Sequence, residues 1–382
     1  MIPSIYLENY RLFDQLALDG FQRVNLIVGK NNSGKSALLE AIYLYLSGVS
    51  EQVLVELSRG RQEFSVVEIG DLIKDLNPLR HFFKGHAVPG VSASGLKLGV
   101  AQDQIEYEVV LEEYAYGEPD GERRKYITPG EIIPWDDADV HAGFVVRSGG
   151  QRRFLNIDRH LNSKESQPPP LFHRTRSVNG SSGQDGGHSI FVPTNGISNA
   201  RAAQYWDLVN LTALEEEVVK GLQIVEPSVQ GIAFVGGGNG GGALGVESQS
   251  AQRVPKVRLD GVPEPIPLKS LGDGVGQVFH VVLAMVNAKN GTVFLDEFEN
   301  GLHWSIQADI WDVVFNLAER MNVQVFATTH SRDCVESFRQ AWSDHPADGA
   351  FYRLEGRGQS VHAQPYDLET LGDSIDTNVE MR

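Results

Sequence analysis

The chain has 382 residues, of which 41% are apolar and 22% charged, and a formal net charge of −17. These proportions exclude a disordered polymer and fit one large α/β domain with insertions, or a core with a smaller appendage. The acidic balance argues against wrapping nucleic acid by bulk charge and leaves only a local basic groove for such contact.

In chain order, residues 5 to 13 alternate imperfectly and predict a strand. Residues 24 to 28 form a short apolar strand, and residues 37 to 46 read as a helix, with a glycine-rich loop between the last two. Residues 51 to 189 differ in character: residues 105 to 111 alternate as an antiparallel strand does, and polar turns punctuate the rest, so this stretch reads as a partly β insertion. The core is then residues 1–50 and 190–382. Near 162–188, the prolines Pro168 to Pro170 and a Gly/Ser-rich run predict a mobile loop. His173, Arg174 and Arg176 give that loop a second reading, as a basic arm for nucleic acid or a partner. Residues 202 to 225 read as one helix, and the glycine run from Gly236 to Gly242 as a flexible hairpin tip, having no lysine or helix signal after it. From Leu268 onward the pattern is helix (275–286), strand (292–295), helix (306–320), strand (323–328), which means a parallel sheet with crossover helices.

No apolar run of about 20 residues is present and the N-terminus lacks signal-peptide patterning, so a cytoplasmic protein without membrane contact is expected. The single Cys334 allows neither an internal disulfide nor a cysteine-based zinc site, and reads as a small buried residue. The acidic stretch after Tyr366 reads as a solvated tail, with a docking peptide as the alternative.

Three segments carry chemistry. Gly29-Lys30-Asn31-Asn32-Ser33-Gly34-Lys35-Ser36 matches G-x-x-x-x-G-K-[ST] between an apolar strand and a helix start. There the backbone N–H groups of Gly29, Asn31, Asn32, Ser33, Gly34 and Ala37 can cradle phosphates at the positive end of the helix dipole. Lys35 would reach the β and γ oxygens of ATP, and Ser36 would ligate Mg2+. The apolar strand 292–295 ends in Asp296 and Glu297, placing Asp296 to hold Mg2+ through water and Glu297 to polarise the attacking water. A neighbouring strand ends in His330, suited to sensing the γ-phosphate.

Together these segments resemble the ABC-type ATPases of the OLD (overcoming lysogenization defect) group, relatives of SMC- and RecF-type ATPases. The resemblance rests on residues 5–13, on Gly29 to Ser36 as Walker A, and on Leu295-Asp296-Glu297 with Glu299-Asn300-Gly301-Leu302-His303 as Walker B and D-loop. Thr328-Thr329-His330-Ser331 completes it as the switch. It implies an ABC-type P-loop head with a mixed or parallel core sheet, and ATP hydrolysis with Mg2+ at the interface of two heads. Where relatives carry Leu-Ser-Gly-Gly, this chain has Lys269-Ser-Leu-Gly-Asp-Gly-Val-Gly276. Either Ser270 and Gly272 fill the serine and glycine places, or Leu271-Gly272-Asp273-Gly274 aligns without a serine. Both registers leave glycine N–H groups, including that of Gly274, at a helix start; Gln277 stands where a lysine or arginine is frequent.

The heptad arms of chromosome-maintenance relatives are missing from the sequence, and the short stretch after His330 leaves no room for a Toprim nuclease, so a separate effector is expected. The resemblance therefore implies the sensor or scaffold of a phage-defence module, a homodimer of heads or a higher oligomer acting with a separately encoded nuclease or toxin. The alternatives are a DNA-repair or DNA-clamping ATPase and, more remotely, a transporter motor.

Overall fold

A computed structural model describes residues 1–63, 78–91, 93–117, 124–126, 140–157, 173–174, 187–236, 253–357 and 360–377. The chain opens with an antiparallel hairpin of β1 (Ile5–Tyr10) and β2 (Phe13–Leu18), Tyr10 opposite Phe13. Alternation predicted one strand over 5–13; the chain instead reverses at Arg11 and Leu12, where Arg11 takes a left-handed φ of 49°. A long side chain keeps that conformation only where its surroundings fix it. Here the Arg11 backbone N–H donates to Phe82 O at 2.9 Å, and its guanidinium pairs with Glu40 and Glu63.

Next come β3 (Val24–Gly29), α1 (Lys35–Leu46) and α2 (Glu51–Gly60). The strands β4 (Leu96–Ala101), β5 (Gln104–Gly117), β6 (Arg124–Tyr126), β7 (Val140–Ser148) and β8 (Gln151–Phe154) join the N-terminal hairpin. The resulting sheet runs β2-β1-β4-β5-β7-β8, with β6 on β5, and is antiparallel throughout.

The second sheet is built from β3 and the C-terminal half. In chain order the elements are β9 (His173–Arg174), β10 (His188–Val192), α3 (Asn199–Val209), α4 (Ala213–Val225), β11 (Val229–Gly236), β12 (Arg253–Leu259) and β13 (Ile266–Pro267). They are followed by α5 (Asp273–Asn287), β14 (Thr292–Leu295), α6 (Trp304–Met321), β15 (Gln324–Thr329), α7 (Arg332–Asp344), β16 (Gly349–Arg357), β17 (Ser360–Tyr366) and α8 (Leu368–Asp376). The sheet order is β17-β16-β3-β15-β14-β10-β9. Its central strands β16, β3, β15, β14 and β10 are parallel, as strands separated by crossover helices must be, and only the edges are antiparallel. β11, β12 and β13 form a small antiparallel sheet of their own.

Strand periodicity divides the core in two. Leu26 and Val28 of β3, Val293 and Leu295 of β14, and Val325 and Ala327 of β15 face a cluster with α5, α6 and α7. Ile27, Phe294 and Phe326, one residue out of step, face α1 and the antiparallel sheet. α1 is therefore sandwiched between two sheets, which is why all its residues but Ser36 are buried and most of its side chains are apolar.

The helix predicted over 202–225 is two helices. Leu211 has φ 63° and stands 91% exposed, and the Thr212 hydroxyl accepts the Leu214 N–H to start α4. Residues 367–377 of the tail expected to be solvated instead form a docked helix: Asp367 caps α8, whose Leu371 is fully buried, and the last five residues lie outside the described ones. Gly236 pairs with Arg253 at the mouth of a hairpin, and the rest of its glycine run lies outside the described residues. The loop expected near 162–188 lies outside them too, except that β9 pairs with His188 and Ser189 and that β10 begins at His188.

Candidate ATP-hydrolysing site

β3 ends at Gly29 with φ 154°, and a Cβ there would meet Ser33 Oγ at 2.6 Å and Leu354 O at 2.7 Å. The loop then turns back on itself. Ser33 N–H donates to Lys30 O at 3.1 Å, Asn32 adopts φ 64°, and Gly34 at φ 97° starts α1. A Cβ on Gly34 would come 2.8 Å from Phe13 Cζ, so the N-terminal hairpin presses directly on the loop. Asn31 and Asn32 are exposed and Ala37 is buried. Ser33 Oγ is buried without a hydrogen-bond partner, a state that a ligand oxygen would relieve.

Lys35 is buried, and its ammonium donates to Gly29 O at 2.8 Å and Lys30 O at 3.1 Å, holding the loop closed from inside. Burial pulls its pKa below the ordinary lysine value, against the opposing pull of Glu297, Asp296 and Glu299. Ser36 donates its hydroxyl to Asp296 Oδ1 at 2.9 Å. Asp296 follows β14, with its N–H on Val192 O at 3.0 Å. The carboxylate also accepts Thr328 Oγ1 at 2.7 Å on Oδ1 and Thr194 Oγ1 at 3.3 Å on Oδ2. Ser36 Oγ and Asp296 Oδ1 are hard oxygen donors of the kind Mg2+ selects, so the set fits that ion.

Glu297 adopts φ 52°, a strained conformation for a side chain of its size, and its N–H is held by Thr328 Oγ1 at 2.9 Å. The segment beyond it is anchored by Phe298, whose ring stacks on Trp311 with centroids 3.9 Å apart. His330, just past β15, is half exposed; its Nδ1 lies 3.0 Å from Glu299 Oε1 and 4.0 Å from Glu297 Oε1. The structure thus brings Lys35, Ser36, Asp296, Glu297 and His330 to the carboxyl ends of the adjacent strands β3, β14 and β15. Among the described residues, no cluster of three or more His, Cys, Asp or Glu could hold a metal ion.

Ser270, Gly272 and Gly274 lie elsewhere. They precede or open α5 beside the D-loop: a Cβ on Gly274 would be 2.7 Å from Gly301 O. Among the described residues they make no hydrogen bond to the loop from Gly29 to Ser36. Sequence reasoning missed Thr194 as a site residue and used Glu299 and Thr328 only as parts of motifs. Thr194 follows β10 and Thr328 lies in β15, the two strands that flank β14, and Glu299 lies in the segment after β14.

A strand, a glycine loop and a helix facing acidic and histidine-ended parallel strands define a P-loop ATPase head, with an antiparallel sheet packed over α1. The chain belongs to the family described as AAA ATPase domain, whose model matches residues 1–77 and 222–335, and it is an ATPase. It is similar to an ATP/GTP phosphatase of Helicobacter pylori, with 26% identity over 362 residues covering 89% of this chain and 88% of that protein. It is also similar to the DNA replication and repair protein RecF of Staphylococcus epidermidis, 36% identical over 69 residues, 18% of this chain and 19% of RecF. A solved SMC head bound to the C-winged helix domain of ScpA aligns with 97% of this chain and 99% of its own at 13% identity, with a TM-score of 0.49. No described helix is long and apolar enough to cross a membrane.

Proposed function

We propose that two copies of this chain close around two ATP molecules and that hydrolysis reopens them, so that nucleotide state becomes a conformational signal. The carrying observation is the division of the site. Lys35, Ser36, Asp296, Glu297 and His330 gather at the carboxyl ends of β3, β14 and β15, while Ser270, Gly272 and Gly274, before and within α5, make no hydrogen bond to the loop from Gly29 to Ser36 among the described residues and stand exposed or partly exposed. In this reading the loop from Gly29 to Ala37 binds the phosphates. Lys35 neutralises the β and γ oxygens, Ser36 and Asp296 would hold Mg2+, and Glu297 accepts a proton from the attacking water. Bound Mg2+ would supply charge neutralisation on the phosphate oxygens. Ser270, Gly272 and Gly274 of the second chain cap the γ-phosphate. The core of residues 1–50 and 190–382 with an insertion at 51–189 belongs to this proposal, and β4 bonding to β1 makes the inserted strands an extension of the N-terminal hairpin.

The biological role that fits best is the OLD-like one, a cytoplasmic sensor or scaffold of phage defence working through a separate nuclease or toxin. It is supported by the residues that resemble that group and by the acidic net charge of −17. The similarity to RecF over 69 residues favours a second reading as a DNA-repair or clamping ATPase. The Helicobacter relative's name makes GTP a substrate to test beside ATP.

The pairing is tested by measuring mass in solution for Glu297→Gln with ATP and Mg2+, against Lys35→Ala. A doubled mass with the first alone supports it; a monomer in both rejects it. Tagged Glu297→Gln purified from the native host then separates the roles. A stoichiometric nuclease or toxin supports the defence reading, and DNA without a protein partner supports the clamp.

A further inference from the structure

We infer that Glu299 is the positioning residue of the switch histidine, an inference that rests on the reading of His330 as the γ-phosphate sensor. Glu299 Oε1 accepts the His330 backbone N–H at 2.9 Å, and the ring Nδ1 of the same residue lies 3.0 Å from that oxygen. The backbone contact fixes where the carboxylate sits, and the ring contact follows from it. A carboxylate oxygen that close to Nδ1 favours a proton there and leaves Nε2, on the far edge of the ring, as the nitrogen that meets a ligand.

The carboxylate is itself held in place. Its side chain is only 9% exposed, and Leu302 N–H donates to Glu299 O at 2.9 Å. The neighbouring Phe298 is stacked on Trp311, and Asn300 Nδ2 donates to Thr194 O at 2.9 Å, so the residues on either side are pinned. Thr194 also touches Asp296. Glu299 Oε2 is buried without a partner. A buried carboxylate oxygen left unbonded is costly in free energy, and that cost is accepted where the group has a task. His330 itself is half exposed, and among the described residues its ring forms ion-pair contacts with Glu299 and, at a longer distance, Glu297. The geometry assigns Glu299 as the link by which movement of the loop after Glu297 turns the His330 ring toward or away from the nucleotide.

The test uses the full chain and compares steady-state ATP hydrolysis with binding of a fluorescent ATP analogue. The variants are Glu299→Ala, Glu299→Gln, His330→Ala and Glu299→Ala with His330→Ala. The glutamine keeps an amide oxygen where Oε1 stands, so it should retain most of the wild-type kcat, whereas alanine should lower kcat by about tenfold or more with the analogue's Kd within about threefold. In the His330→Ala background, Glu299→Ala should cost nothing further, as for two residues acting as one unit. Equal losses in the alanine and glutamine variants, or an alanine loss that persists without His330, would overturn the positioning role and leave His330 untouched. A fully active His330→Ala would overturn the sensor reading, and this inference with it. Thermal unfolding within a few degrees of wild type, expected for Glu299→Gln, separates a positioning loss from a folding one.

Discussion

The Ser36 hydroxyl donates to Asp296 Oδ1 at 2.9 Å across 260 residues of sequence. That bond ties the first turn of α1 to the end of β14 and so closes the phosphate loop against the acidic strand end. The same oxygen accepts Thr328 Oγ1 at 2.7 Å, which makes Asp296 Oδ1 the meeting point of three separate elements.

Thr328 is completely buried and bonds in two directions, to Asp296 as a donor and to the Glu297 N–H as an acceptor. Valine has nearly the same shape and neither function. Thr328→Val is expected to lower stability by about 1.5–3 kcal/mol, the range for losing a hydrogen bond to a charged group. It should also lower kcat by roughly tenfold as Glu297 loses the contact that holds its strained backbone. Urea unfolding midpoints and steady-state turnover check the two effects, and unchanged values in both would show that the contact is incidental.

Lys35 and Glu297 should separate binding from turnover. Lys35→Ala removes the cation at the base of the loop and should weaken ATP binding at least about tenfold and abolish measurable hydrolysis. Glu297→Gln keeps the shape and loses the proton acceptor, so kcat should fall by about 10²–10⁴ while affinity changes little. Isothermal titration of both variants with a slowly hydrolysed ATP analogue, beside a phosphate-release assay, distinguishes them; a Glu297→Gln enzyme at wild-type speed would remove that residue from the chemistry.

The phosphate loop was legible because its chemistry is written in consecutive residues: two glycines, a lysine and a serine between an apolar run and a helix. The acidic pair and His330 were legible because each ends a strand of strongly apolar side chains. Thr194 was not, since only the parallel pairing of β10 with β14 brings it to Asp296, and pairing between distant strands leaves no local trace. The break at Leu211 escaped for the converse reason. The apolar spacing runs on through it, and the stop is made by a positive φ and a threonine cap that periodicity does not register. The docked α8 was hidden by its acidic composition: Leu371, with Leu368 and Ile375 packed partly buried against the same core, and the cap at Asp367 hold it back on α7.

A charge network beneath the loop offers a test of packing. Arg11 is buried between Glu40, at 3.0 Å, and Glu63, at 2.6 Å, with its guanidinium 4.8 Å above the Phe82 ring. Glu40 also holds Arg61 at 2.7 Å. Burial pushes the Glu40 carboxyl upward, and the two arginines pull it back. Arg11→Ala leaves that carboxylate buried with one partner fewer and should cost about 3–5 kcal/mol. Arg11→Met with Glu40→Met, which removes both charges, should recover much of the loss. Chemical denaturation of the three proteins decides; a double variant as unstable as the single one would mean that the hairpin depends on the ion pair itself.

His280 should make stability fall in mild acid. It lies on α5, its ring packs beside Phe279 with centroids 5.7 Å apart, and Gly196 approaches so closely that a Cβ there would be 2.2 Å from Nδ1. Burial lowers its pKa from 6.5 to about 4. The folded state therefore favours the neutral ring, while the unfolded chain takes up the proton first. The contribution is complete above the unfolded value of 6.5 and is lost progressively as pH falls toward the folded value near 4. Between pH of about 7.5 and about 5 this group alone should cost about 2 kcal/mol. Replacing it by glutamine removes the titration, so the difference in unfolding free energy between wild type and His280→Gln should shrink or reverse by that amount across the same interval. Urea melts at the two pH values measure it, and parallel losses in both proteins would show that His280 is not the group responsible. Because α5 begins at the glycines expected to cap a second chain's nucleotide, the same variant assayed for ATP hydrolysis at both pH values would show whether loosening this helix reaches the active site.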